Sequence, residues 1–199
     1  MAPTLRAFQT SRFFILIMML TMASFAVAQV ETIDSIAKGT GTQMGRDINV
    51  KLIIEQYSTP QDRQMLVDAF KSGGSDALSQ TLFKMKSVGR IQIPGTVGNT
   101  IAFARVIPTP TGRKVRFVTN RRIAFKEDAR NTRSKEYELT AGEIEINDQD
   151  KSKSAGVLYP AAQLVVNKEG ELEFQLYQNP WKLQNIIDWT PKGKGNEKD

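Results

Sequence analysis

From Asp47 onward the chain alternates hydrophobic and polar positions. Ile48, Val50, Leu52 and Ile54 fall on one parity, with Asn49, Lys51 and Glu55 on the other. A period of two rich in β-branched residues predicts a half-buried strand. The period then changes. Thr59-Pro60-Gln61-Asp62 offers a hydroxyl at an N-cap, proline at the first helical position and an acid near the positive end of the helix dipole. Met65, Leu66, Ala69 and Phe70 form one apolar stripe before Gly73-Gly74 stops it. Ser75 caps a second helix with Leu78, Leu82 and Met85 on one face and Phe83 at its edge, so a helical hairpin is predicted.

After Gly89 the pattern is one of strands and turns. Runs at 90–94, 100–107, 114–119, 122–127, 136–147, 156–166, 171–177 and 181–189 are separated by Gly, Pro, Asn or charged breaks. Asn167-Lys168-Glu169-Gly170 reads as a hairpin loop, because Leu172, Phe174 and Leu176 beyond it answer Ala162, Leu164 and Val166 before it. Tyr137, Leu139 and Ala141 share one parity while Ile144 and Ile146 share the other, which predicts a β-bulge at Gly142. The fold class is therefore α+β: an N-terminal strand, a helical hairpin, then a meander of about seven or eight antiparallel strands forming a curved sheet or partial barrel. This element order resembles the start of the helix-grip fold, in which a curved sheet wraps an apolar cavity. Where that fold has a long closing helix, this chain alternates from Trp181 to Trp189.

The first 28 residues have a different logic. Arg6 and Arg12 precede the apolar run Phe13–Leu20, and Ala26-Val27-Ala28 supplies a small-residue cleavage site, so residues 1–28 read as a secretory signal peptide with Gln29 as the mature N-terminus. No cysteine follows the run to carry a lipid. Residues 29–46 are poor in large apolar side chains and rich in glycine, which predicts a flexible lead-in. Its Gly39, Gly41 and Gly45 lack the spacing of a dinucleotide loop. Residues 47–190 form a single α+β domain. Residues 191–199 have nothing to bury and read as a disordered tail.

Composition removes many chemistries. Among 199 residues there is no cysteine and no histidine, which excludes disulfides, Ser-His-Asp and Cys-His triads, imidazole bases and nearly all zinc or copper sites. Catalysis would have to run on carboxylates, Lys, Tyr or Ser, or on an oxygen-ligated metal. No motif reaches that standard. Ser35-Ile36-Ala37-Lys38 matches Ser-x-x-Lys without its companion motifs. Asp148, Asp150 and Ser152 have the oxygen spacing of a calcium loop but lack its glycine and its final acid. Glu143 and Glu145 sit two apart on a strand, a spacing open to a glycosidase pair or to simple pairing with a basic strand. Phe103, Phe117, Phe125 and Tyr137 beside arginines are positioned as strand core rather than as a base-stacking platform. No catalytic residue, metal ligand or cofactor is assigned.

Charge is the feature that points to a partner. The formal net charge is +6. The cations cluster at Arg113, Lys114, Arg116, Arg121, Arg122, Lys126, Arg130, Arg133 and Lys135, and an acidic segment, 136–150, follows them. Adjacent antiparallel strands would pair these charges. Alternatively, Arg113, Lys114, Arg116, Arg121, Arg122, Arg130 and Arg133 form an anion-binding face for an anionic envelope component or another protein, with no role for nucleic acid.

In wording, the stretch from Asp76-Ala77-Leu78 through Val88-Gly89-Arg90-Ile91, Ile101-Ala102-Phe103-Ala104-Arg105, Phe117-Val118-Thr119-Asn120-Arg121 and Arg133-Ser134-Lys135-Glu136-Tyr137 resembles a set of exported bacterial proteins with no assigned activity. The resemblance implies a periplasmic or secreted location. The leading expectation is an exported, non-enzymatic binding or interaction protein that uses its basic sheet region. The alternatives are a carrier of an apolar or lipid-like ligand between sheet and hairpin, and a carboxylate-based hydrolase.

Overall fold

A computed structural model describes residues 30–123, 139–166, 172–176 and 178–190. The leader, the 167–170 loop, the tail, and Phe125, Arg130, Arg133 and Tyr137 lie outside these residues. The strands are β1 (Glu31–Lys38), β2 (Asp47–Ile54), β3 (Gly89–Gln92), β4 (Asn99–Thr109), β5 (Gly112–Thr119), β6 (Leu139–Asn147), β7 (Ala155–Val166), β8 (Leu172–Leu176) and β9 (Trp181–Asp188). One helical element, α1 (Pro60–Lys84), lies between β2 and β3.

Eight strands close into an antiparallel barrel in the order β1-β2-β3-β4-β5-β6-β7-β9, with β9 returning to β1. Closure goes beyond the expected curved sheet, and it leaves those eight strands without a free edge. The ninth strand, β8, pairs with the second half of the long β7. Its register, Ala162↔Leu176, Leu164↔Phe174 and Val166↔Leu172, is the one the alternation predicted.

The flexible lead-in is a correction. Residues 31–38 are β1, paired along its whole length with β2 and again with β9. Glu31, Ile33, Ser35 and Ala37 are its buried positions. Of these only Ile33 is a large apolar residue, so the inward face carried almost no hydrophobic signal.

The interior is filled by side chains. Ile33, Leu52, Ile101, Phe117, Ile144, Leu158, Trp181 and Leu183 belong to one continuous buried cluster. Eight strands give an interior just wide enough for such packing. Lys51, Arg116, Lys182 and Gln184 alternate outward. Apolar-in and polar-out is the reverse of a lipid-facing barrel, and no described helix is long and apolar enough to cross a membrane.

The α1 element folds as its sequence directs. Thr59 and Asp62 form a reciprocal capping box, with Pro60 at the start. The backbone leaves helical geometry at Gly73 (φ −154°, ψ 20°) and Gly74 (φ 64°, ψ −148°). A positive φ is a conformation glycine adopts without penalty. Asp62 and Met65 from the first half share a cavity with Thr81, Lys84 and Met85 from the second. A straight helix would hold these groups roughly 30 Å apart, so the halves fold back on one another. Leu78 and Leu82 then pack on Ala102 and Leu139, with Leu66, Phe70, Met85, Phe103 and Val118 around them. This second core lies on the outer wall of the barrel, and it buries both faces of β6 near Leu139.

That double burial relocates the predicted bulge. The β5–β6 register runs without interruption through Phe117↔Gly142. The irregularity lies between Leu139 and Ala141, opposite β7. Thr140 sits at this point, fully buried, and its hydroxyl donates to the Pro160 carbonyl at 2.7 Å and accepts from the Ile123 amide at 2.7 Å.

Candidate functional site

The structure divides the basic region. On the outer wall, Arg116 faces Glu143 in the β5–β6 register and binds it through Nε. Lys114 faces Glu145 and sits 2.8 Å from Glu143 and 3.7 Å from Glu145. Burial alone would raise the Glu143 carboxyl, but hydrogen bonds from Lys114 and Arg116 outweigh it and hold the group below its usual range. The hydrogen bond to Glu143 likewise raises Lys114. These two cations and both glutamates form a cross-strand network, the arrangement expected of adjacent basic and acidic strands. Glu143 is accordingly a salt-bridge partner.

Arg113 turns the other way. From the β4–β5 hairpin it reaches across the barrel mouth, where its Nη2 lies 2.7 Å from Glu31 Oε1 and 2.7 Å from Asp188 Oδ2. Tyr57 donates its hydroxyl to the other Glu31 oxygen. Burial would lower the Arg113 pKa, but its hydrogen bonds to the two carboxylates raise it further above its ordinary value. Burial first, then the bond to Glu31, pushes the Tyr57 phenol above its usual range. Asp188 is held low despite burial, by the Thr190 amide at 2.9 Å and by Arg113. The four groups satisfy one another. They close one end of the barrel with a hydrogen-bonded plug in which one cation holds two carboxylates, and Arg113 is committed to it.

Arg121 and Arg122 behave differently again. They follow β5 and, with Ser79, Phe83 and Lys84 of α1 and with Asn120, line a cleft of about 520 Å³ between the helix and the barrel end. A smaller cavity of about 300 Å³ on the other side of the same arginines is lined by Ile91, Ile93 and Ile123. Among the described residues, every charged one lining the larger cleft is a cation. Neither Lys84 nor Arg121 makes an ion pair among the described residues. Phe83, at the edge of the apolar face of its helix, is 67% exposed beside them. The Asn120 Oδ1 is buried with no hydrogen-bond partner among the described residues.

Sequence reasoning missed Lys84 and Phe83. They belong to the helix, 29 or more positions before the basic region, and the one available signal was that Phe83 falls beside the apolar stripe of its helix instead of within it.

The other sequence candidates resolve into structure. Ser35 is a buried wall position of β1, and Lys38 pairs with Asp47 at 3.1 Å. Asp150 caps a turn by accepting from the Ser152 amide at 3.1 Å and its hydroxyl at 2.6 Å. Phe117 is interior and Phe103 packs under α1. Among the described residues no group of three or more acids is placed to hold a metal ion. No family model, curated protein or solved structure matches this chain.

Proposed function

We propose that the chain is an exported binding protein whose basic cleft, lined by Lys84, Arg121 and Arg122 beside Phe83, engages an anionic group carried by a component of the bacterial envelope. The observation that carries the reading is the one-sided charge of that cleft. Converging cations raise the local concentration of anions and steer them inward. Arginine adds a planar fork suited to phosphate or carboxylate oxygens. The exposed Phe83 ring contributes an apolar contact beside the charges. The absence of histidine and cysteine from the sequence, and the commitment of Glu143 to a salt bridge, both favour binding over hydrolysis. The apolar cluster that occupies the barrel interior, and the packing of Leu78 and Leu82 on its outer wall, favour a surface binder over an internal carrier.

The leader sequence supports export. A titration with glycerol phosphate, a minimal anionic headgroup, followed by amide NMR shifts tests the site. Resonances of Phe83, Lys84, Asn120 and Arg121 should move together while those of Lys114 and Arg116 stay. Equal movement at every cation, or none, refutes the assignment.

A further inference from the structure

A second cavity lies on the opposite chemistry. It is a groove of about 610 Å³ on the outer wall where β9, β1 and β2 meet the loop after β3, a size suited to a small ligand. Among the described residues, the only charged side chains lining it are Asp34 and Lys51, which pair with each other at 3.5 Å. The groove is therefore electrically neutral. What it offers instead are three side-chain amides, Asn49, Gln92 and Asn185, none hydrogen-bonded to another described residue. Each amide supplies two donors and an acceptor.

A distortion of the barrel wall puts the third amide there. The β1–β9 register passes from Asp34↔Ile187 to Ile36↔Gln184, so Asn185 and Ile186 together oppose Ser35. Asn185 takes a left-handed backbone, φ 51°, the one non-glycine residue among those described with positive φ. The bulge re-aims its side chain into the groove. It also sets the phase of the following residues, so that Asp188 turns inward to Arg113 while Ile187 and Trp189 are exposed. Trp189 donates its indole N–H to Asp34 at 2.8 Å, and the residue is 60% exposed.

The geometry points to this groove as a binding site for a neutral saccharide. A sugar ring presents hydroxyls that both donate and accept, which amides match and isolated charges do not. It also presents a flat apolar face of C–H groups, which the Trp189 ring, outside the groove's lining but tethered beside it through Asp34, complements. Ile36 and Ile187 add apolar floor between the amides. A charged ligand would find no uncompensated partner here. The inference is independent of the basic cleft and does not rest on it.

The two tryptophans make the test direct, because Trp181 is buried and Trp189 is not. Emission should change saturably when the protein is titrated with at least one of a panel of neutral oligosaccharides of glucose and N-acetylglucosamine. The change should persist between about 0.1 and 1 M salt, since no net charge is involved. Asn185→Gly should weaken binding about tenfold or more without loss of stability, because glycine accepts the left-handed backbone and only the amide is removed. Asn49→Ala with Gln92→Ala should weaken it similarly, and Lys84→Glu with Arg121→Glu should leave it unchanged. The inference is overturned if no neutral oligosaccharide changes the emission up to about 10 mM, if these amide variants bind as the wild type does, or if only extended peptides bind.

Discussion

Phe117 occupies the space that a side chain at Gly142 would need. The two residues face each other across β5 and β6, and a Cβ built on Gly142 falls on the Phe117 ring inside the barrel. Phe117 is itself almost fully buried. Gly142→Ala should therefore destabilise the fold by about 2 kcal/mol or more through overpacking. Gly45→Ala, at a positive φ with open space around it, should cost only the backbone term of about 1–2 kcal/mol. Denaturant midpoints of the two variants decide whether the clash exists.

Removing the cation from the barrel plug strands two carboxylates. Arg113→Met should cost about 2–4 kcal/mol at neutral pH, because Glu31 and Asp188 lose their shared donor. The sign of the pH dependence follows from Asp188, whose folded pKa is depressed. Its contribution is present above the ordinary carboxylate pKa and is lost as pH falls through the folded value. The gap between wild type and Arg113→Met should accordingly narrow below about pH 4. A constant gap down to pH 2 contradicts the assignment.

At alkaline pH the Tyr57 phenol and Lys114 act in the other direction. Both have folded pKa values above their ordinary ones, so their contributions are complete below about pH 10 and are lost as pH rises beyond it. Stability should be nearly flat from about pH 5 to 9, where a histidine would otherwise titrate, and should fall by pH 11. Tyr57→Phe should remove part of that alkaline loss. Chemical denaturation at pH 7, 9 and 11 reads both effects.

Thr140 joins three segments through one hydroxyl. Thr140→Val keeps the shape and leaves the Ile123 amide and the Pro160 carbonyl without their partner, so it should cost about 1–3 kcal/mol. Thr140→Ser should retain most of that. If valine is neutral in a thermal melt, the buried hydroxyl does not hold this junction together.

The sequence and the fold agree where the hydrophobic pattern is strong. The β2 alternation, the Thr59–Asp62 cap, the Gly73–Gly74 break and the β7–β8 register were all legible, since each depends on neighbours in the chain. What was illegible depends on the barrel's closure. Glu31 and Ser35 face inward, so the alternation of β1 carries a polar pattern that predicts a lead-in. Their burial makes sense only once Arg113 arrives from the far side of the barrel. The parity change near Gly142 was visible, but its cause was not, because Leu139 is covered from outside by a helix some 60 positions earlier. The basic region was legible as composition. Its division into paired cations, a buried plug and an open cleft required the register, and Arg130 and Arg133 lie outside the described residues.

The most direct test of the basic cleft is binding to vesicles containing phosphatidylglycerol, compared with neutral phosphatidylcholine vesicles, across a salt series. Wild type should bind the anionic vesicles at low salt and release as the screening length falls from about 10 Å at 0.1 M to about 3 Å at 1 M. Lys84→Glu with Arg121→Glu should bind at least about tenfold more weakly, whereas Arg116→Glu, which alters a cation already paired with Glu143, should retain most of the wild-type affinity. Equal losses in both variants, salt-independent binding, or no binding at low salt would contradict the cleft as the site of anion recognition.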